Sequence, residues 1–177
     1  PKHAWRQNQL EAIDNTIKQN FASGLHNQIM GAGKTFIIMK LISEHFAKMK
    51  ENKTYLLICS RKEILREMFF KNGEVNMEQL HMWQQAGICN LTGFHIVDFF
   101  DNKDGDILKY INKPNKEQPF LIVVNTQYLR DERYKKIIPG SVALTMFDEC
   151  HDVSANKIHK MLRRLKYKVG SNIIGFS

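Results

Sequence analysis

The sequence has three cysteines in 177 residues, Cys59, Cys89 and Cys150, an odd number with no CxxC pair among them. That scarcity excludes a disulfide framework and fits a reducing compartment. His81, Cys89 and His95 do not fall at zinc-ligand spacing and have no evident fourth partner, so no structural zinc is expected. No apolar run approaches the ~20 residues of a membrane span. The opening PKHAWRQNQLEAIDN has none of the apolar stretch a signal peptide needs. Internal repeats and low-complexity tracts are missing too. These absences imply a soluble, intracellular protein, cytoplasmic or nuclear, with no membrane partner.

Acid is the other shortage. Against 26 Lys and Arg stand 18 Asp and Glu, a net charge of +8 that favours a polyanionic partner. The stretch KIHKMLRRLKYK holds six basic residues and no acid. Helical spacing turns Ile158, Met161, Leu162 and Leu165 to the core, and leaves a basic face of Lys157, Lys160, Arg164 and Lys168, read first as solvated and second as a nucleic-acid contact.

What is present alternates. Continuous apolar runs, GLHNQIM, TYLLICS, FLIVVNT, SVALTMFDE and NIIGFS, read as strands buried on both faces, with one more inside GICNLTGFHIVDFF. Between them lie helical patterns: a stripe of Leu10, Ile13, Ile17 and Phe21, an apolar helix from Phe36 to Met49, and the amphipathic SRKEILREMFFKN and SANKIHKMLRRLKYK. DNKDGD and NKPNKEQP read as surface loops. Strands alternating with helices predict one α/β domain over residues 1–177 built on a parallel sheet. NIIGFS reads as an interrupted strand, so the domain is expected to be part of a longer protein.

Two motifs carry chemistry. In QIMGAGKTF a strand ends and a helix begins, and the glycines allow a turn whose backbone N–H groups cradle phosphate. Gly31, Ala32 and Gly33 form that turn, Lys34 offers charge to the β/γ-phosphates, and Thr35 a hydroxyl to Mg²⁺. The full phosphate-loop pattern wants glycine where this chain has Gln28. The second motif, FDECHD, closes an apolar strand with acids that need a cation as partner. Asp148 is suited to hold Mg²⁺ and Glu149 to orient and deprotonate a water. Cys150 and His151 point to opposite faces of an extended chain and make a poor thiol–imidazole couple.

MGAGKT followed by DECH resembles motifs I and II of the superfamily 2 helicases and translocases, in the DExH-box branch, where the first glycine of the phosphate loop is often absent. WRQNQLEAI resembles their Q-motif, LLICSRKEIL motif Ia, VVNTQYL a later nucleic-acid motif, and the final GFS the approach to motif III. The resemblance implies an N-terminal RecA-like P-loop NTPase domain that uses ATP and Mg²⁺, with a second RecA-like domain outside this chain. It implies that Arg6 and Gln9 contact adenine and that His151 links the nucleotide site to that second domain. It also implies that Ser60, Arg61 and Thr126 touch the nucleic-acid backbone. Gln9 can pair with the adenine edge because its amide offers a donor and an acceptor side by side. Ser60 is equally suited to cap a helix with Glu63 three residues on. Trp5 fits either adenine stacking or packing.

The resulting expectation is an ATP-dependent helicase or translocase motor, the isolated domain being weakly active. Its alternatives are a restriction-type or remodelling motor that translocates without unwinding, a small-molecule P-loop kinase, and an ATP-gated binding module.

Overall fold

The computed structural model describes residues 1–26, 33–59, 67–99, 106–126, 129, 132–148 and 156–176. Six strands make one sheet: β1 (Gly24–His26), β2 (Thr54–Cys59), β5 (His95–Phe99), β6 (Phe120–Asn125), β7 (Val142–Asp148) and β8 (Asn172–Phe176). Their order is β1-β8-β7-β2-β6-β5, and every described pairing is parallel. The remaining pair, β3 (Phe70–Lys71) and β4 (Glu74–Val75), is a small antiparallel hairpin. Helices α1 (Gln7–Lys18), α2 (Lys34–Met49), α3 (Met77–Gln85), α4 (Ile107–Ile111) and α5 (Asn156–Arg164) supply the flanking layers.

The alternation of side chains along each strand explains how one sheet serves two cores. Tyr55, Leu57 and Cys59 of β2 pack with α1, α2 and α3, whereas Leu56 and Ile58 pack with α4 and α5. Leu121 and Val123 of β6 join the first cluster, Ile122 and Val124 the second. All six residues of β2 are buried, which is why these runs lack the apolar–polar rhythm of a half-exposed strand. Fully burying a Leu or Ile side chain contributes about 1.5–3 kcal/mol, so β2 and β6 anchor the domain.

Two helical expectations are corrected. On α1 the buried face is Gln9, Ala12, Ile13 and Thr16, while Leu10 and Ile17 are 39% and 36% exposed. The polar members of that face are held by hydrogen bonds: Thr16 donates to the Ala12 carbonyl at 2.7 Å, and Gln9 is bonded at both ends of its amide. An apolar stripe alone therefore misplaces the face by about one residue. Phe21 is buried as expected, but beyond the helix, in a turn with φ +56°. The amphipathic reading of SRKEILREMFFKN also runs too far, because Phe70 and Lys71 belong to β3. Asn72 and Gly73 follow, both at positive φ, the pair that a two-residue hairpin turn demands.

The expected basic face of α5 is also redrawn. Ile158, Met161 and Leu165 are buried as predicted, and Leu162 packs against them. Arg164, assigned outward, instead turns to the protein: its Nε donates to the Tyr134 carbonyl at 3.3 Å and its terminal nitrogen to the Lys135 carbonyl at 2.6 Å. The helix then widens into a π-turn over Leu165–Val169 and stops at Gly170, at φ +85°. Among the described residues no helix is long and apolar enough to cross a membrane.

Candidate active site

The parallel register sets the carboxyl ends of the strands in one row. His26 of β1 lies beside Phe176 of β8, which lies beside Asp148 of β7, then Cys59 of β2, then Asn125 of β6. All five positions lead into or belong to a motif read from the sequence, Phe176 through the final GFS. His26 precedes the glycine turn, Asp148 begins the acidic motif, Cys59 precedes Ser60-Arg61, and Asn125 precedes Thr126. Strands stand ~4.8 Å apart, so the row from β1 to β6 spans roughly 19 Å. Ligands of open α/β sheets bind outside this carboxyl edge.

Lys34 opens α2 and reaches Asp148 across the edge, Nζ to Oδ1 3.3 Å. The geometry follows from strand parity. Asp148 continues the series Leu144, Met146 on the face that packs against α2, so its carboxylate comes to the first turn of that helix. The aspartate side chain is 7% exposed and the lysine 24%, a carboxylate mostly withdrawn from water with a cation supplied by the protein. Thr35 occupies the next position of the same first turn and is half-buried. First-turn N–H groups have no acceptor within their own helix, and the helix N-terminus carries partial positive charge. The edge therefore combines a helix start, an ammonium, a hydroxyl and a shielded carboxylate. That donor set fits a phosphate with its divalent cation: hard oxygen ligands for the metal, N–H and ammonium for the anion.

Gly33 caps α2 in the left-handed region, φ +75°, ψ +34°. Its carbonyl accepts from Phe36 and Ile37, and from Gln9 Nε2 at 3.2 Å. A Cβ at Gly33 would run into that same Gln9 nitrogen. Glycine is needed here twice over, for its φ and for the close approach of α1. Gln9 accepts the Arg6 backbone N–H through Oε1 at 2.9 Å and is 1% exposed. One N–H of its amide thus joins α1 to the start of α2, and one lone pair caps the start of α1 itself. The Arg6 side chain is exposed at the head of α1. Trp5 packs against the first core cluster and meets His3 edge-on at 4.5 Å, the packing role of its two readings.

His26, at the end of β1, stacks on Phe176 at 5.2 Å with an 18° interplanar angle. Its Nε2 lies 3.0 Å from Thr16 Oγ1, whose own hydrogen goes to Ala12, so the ring nitrogen is the donor. Burial holds its pKa below the ordinary 6.5. A neutral imidazole thus ties α1 to β1. Nothing in the motif pattern signals this residue; only the strand end itself does. Thr126 is 9% exposed at the end of β6. Gly31, Ala32, Ser60, Arg61, Glu149, Cys150 and His151 lie outside the described residues. Cys89 is buried, which pushes its thiol up to about 12 and removes it as a nucleophile at neutral pH.

Residues 2–177 match the family described as type III restriction enzyme, res subunit. A nuclease-deletion mutant of the type ISP restriction-modification enzyme LlaGI, solved with a DNA substrate mimic, superimposes with a TM-score of 0.62 at 17% identity. The UvsW helicase of bacteriophage T4 superimposes with a TM-score of 0.60 at 16% identity. Each match covers 99% of this chain but only 17% of the LlaGI chain and 52% of the UvsW chain. No curated protein sequence is significantly similar. The six-stranded parallel sheet with its flanking helices is the RecA-like fold of helicase domains. With the family match running over nearly every residue, the chain belongs to the type III restriction enzyme res-subunit family of helicase-type motor domains.

Proposed function

We propose that this chain is the first RecA-like motor domain of an ATP-driven helicase or translocase of the DExH type. It would bind ATP–Mg²⁺ and hold the backbone of a nucleic acid along the carboxyl edge of its sheet. The observation that carries this reading is the Lys34–Asp148 pair at 3.3 Å, which joins the two chemical motifs at one point 114 residues apart in sequence. The family match gives the same direction, since helicase-type domains use ATP with Mg²⁺ as a class.

On this reading Lys34 leaves Asp148 for the β/γ-phosphates when nucleotide enters, and the first turn of α2 accepts the phosphate oxygens through its N–H groups. Thr35 and Asp148 would hold Mg²⁺, which when bound offsets charge on the phosphate oxygens. Glu149 takes the proton of the water that attacks the γ-phosphorus in line. Arg6 and Gln9 take the adenine, Gln9 through the N–H and lone pair it does not spend on Gly33 and Arg6. Gly31, Ala32 and Gly33 follow the phosphates, and His151 couples the site to a second RecA-like domain outside this chain. Ser60 and Arg61, next in sequence after β2, and Thr126, next after β6, hold sugar-phosphate.

Translocation without strand separation is the second reading, favoured by the restriction-enzyme family and by the LlaGI likeness. A small-molecule kinase has no such support. The test is steady-state ATP hydrolysis by the full-length protein with duplex DNA, single-stranded DNA, RNA or none. Stimulation by nucleic acid, lost in Glu149→Gln with ATP binding retained, is expected. Hydrolysis indifferent to every nucleic acid contradicts the proposal.

A further inference from the structure

We propose that α5, the turn at Leu165–Val169 and the 3₁₀ turn at Arg133–Lys136 form a second nucleic-acid contact. It takes a single strand by stacking a base on Tyr167 and pairing phosphates with Lys135, Arg163 and Lys168. The inference rests on the nucleic-acid reading above but uses none of the residues that carry it.

Charge distribution is the first argument. Residues 132–136 hold three basic side chains and one acid, and residues 156–169 hold six basic and no acid, an excess of 8. The whole chain carries +8. With the flanking Asp131 and Asp152 counted, residues 131–136 and 152–169 still carry +6 of the +8, so most of the net charge lies in these two segments of the sequence. A solvated basic helix would need no such concentration, whereas a focused field raises the local concentration of a polyanion.

Shape is the second. The Arg164 guanidinium ties α5 to the carbonyls of Tyr134 and Lys135, fixing the two segments side by side. Between them lies a groove of about 430 Å³ lined by Tyr134, Lys135, Arg163, Arg164, Tyr167 and Lys168. Tyr134 is buried in its wall, but Tyr167 is 73% exposed, the most open large apolar side chain among the described residues. Lys166 Nζ stands 5.2 Å from the Tyr167 ring centroid. An exposed aromatic ring framed by cations, beside a groove, is the arrangement that holds single strands without reading sequence. Glu132 is engaged with Lys135 in an exposed pair at 3.1 Å, which a phosphate can replace at small cost.

Position separates this face from the motor edge. Gly140 N–H bonds to the Val169 carbonyl and Ser171 N–H to the Leu165 carbonyl, so the groove adjoins the amino ends of β7 and β8. Asp148 is at the other end of β7, about 20 Å away at ~3.3 Å per residue. A strand seated here is a different stretch from one held at Thr126.

The experiment is binding of a fluorescent 20-nucleotide oligo(dT) to the 177-residue chain over a salt series. It is joined by photocrosslinking of a 5-bromodeoxyuridine oligonucleotide and peptide mapping. Tyr167→Ala should weaken binding about 5- to 150-fold, the loss of one stacked base, with Tyr167→Phe near wild type. Lys135→Glu with Lys168→Glu should make the log–log salt slope shallower by about 0.7 for each phosphate no longer neutralised. The crosslink should fall on the peptide containing Tyr167. Wild-type affinity in Tyr167→Ala, or loss of the same size with dextran sulfate as with oligo(dT), overturns the proposal. Thr126→Ala keeps the two readings apart. If it alone weakens binding, the motor edge stands and this face does not. If only the Tyr167 variant does, the reverse holds.

Discussion

The ammonium of Lys34 sits 3.3 Å from the carboxylate of Asp148, so the protein itself supplies a cation to its strand end. A carboxylate 7% exposed is costly without one. On the function proposed above, the pair would keep a phosphate position and a metal position side by side. It also means that the two residues are coupled, and that single substitutions disturb stability and binding together.

A double-mutant cycle separates those effects. Lys34→Met should destabilise the protein by on the order of 2 kcal/mol, below the ~3–5 kcal/mol of a fully buried pair. The discount follows from Lys34 being 24% exposed. Lys34→Met with Asp148→Asn should recover most of that loss, because no uncompensated charge remains. Neither protein should bind ATP. Urea unfolding and nucleotide titration of the four proteins check this. Recovery of ATP binding in the double mutant would remove Lys34 from the site.

Gly33 and Gln9 make a second coupled pair. Gly33→Ala must take a left-handed φ, which costs about 1–2 kcal/mol, and must displace the Gln9 amide as well. ATP affinity should fall at least as far as in Gln9→Ala. Gln9→Ala should in turn weaken ATP more than GTP, and equal losses for both nucleotides would assign Gln9 to joining α1 and α2 alone.

Stability should depend on pH through the histidines. Burial lowers the pKa of His26, His45 and His95 below 6.5; at His45, Glu51 opposes the shift and Lys48 and Lys53 add to it. The folded state then binds fewer protons than the unfolded state below about pH 6.5, so stability rises with pH through that window. It is complete above pH 6.5 and declines as pH falls toward the folded-state values. His45 accepts from or donates to the Tyr55 hydroxyl at 2.7 Å inside the first core. His45→Gln should flatten the acid side of a melting-temperature profile. An unchanged slope would assign the decline to other groups.

Nucleic-acid binding at the motor edge should be indifferent to sequence. Arg61→Ala should weaken binding across sequences and make the salt slope shallower by about 0.7–0.9, one phosphate's worth. Thr126→Ala removes no charge and should weaken binding with the slope nearly unchanged. A salt series on both variants decides; an Arg61→Ala protein with wild-type affinity and slope leaves Ser60-Arg61 as the start of a helix.

The legible parts of this molecule are those where one physical rule dominates. Continuous apolar runs suit strands covered on both faces, and β2, β6, β7 and β8 lie where those runs are. Lys34 and Asp148 belong together in sequence because phosphate and metal chemistry need both, although their separation along the chain says nothing about distance. The face of α1 is not legible, because its buried side includes Gln9 and Thr16, whose burial depends on bonds to Gly33 and Ala12 that no periodicity encodes. Arg164 escapes for the same reason. Its partners are backbone carbonyls of a distant turn. Tyr167 carries a signal of its own, an aromatic residue inside six bases without an acid, which helical periodicity alone passes over.

The account rests most directly on whether the Lys34–Asp148 position is an ATP–Mg²⁺ site, and fluorescent-ATP binding measured with Mg²⁺ and with EDTA addresses that. Wild-type protein should bind ATP with an affinity raised by Mg²⁺, Asp148→Asn should bind with no response to the metal, and Lys34→Ala should not bind. ATP binding that ignores EDTA, with Asp148→Asn and Lys34→Ala both matching the wild type, contradicts the account.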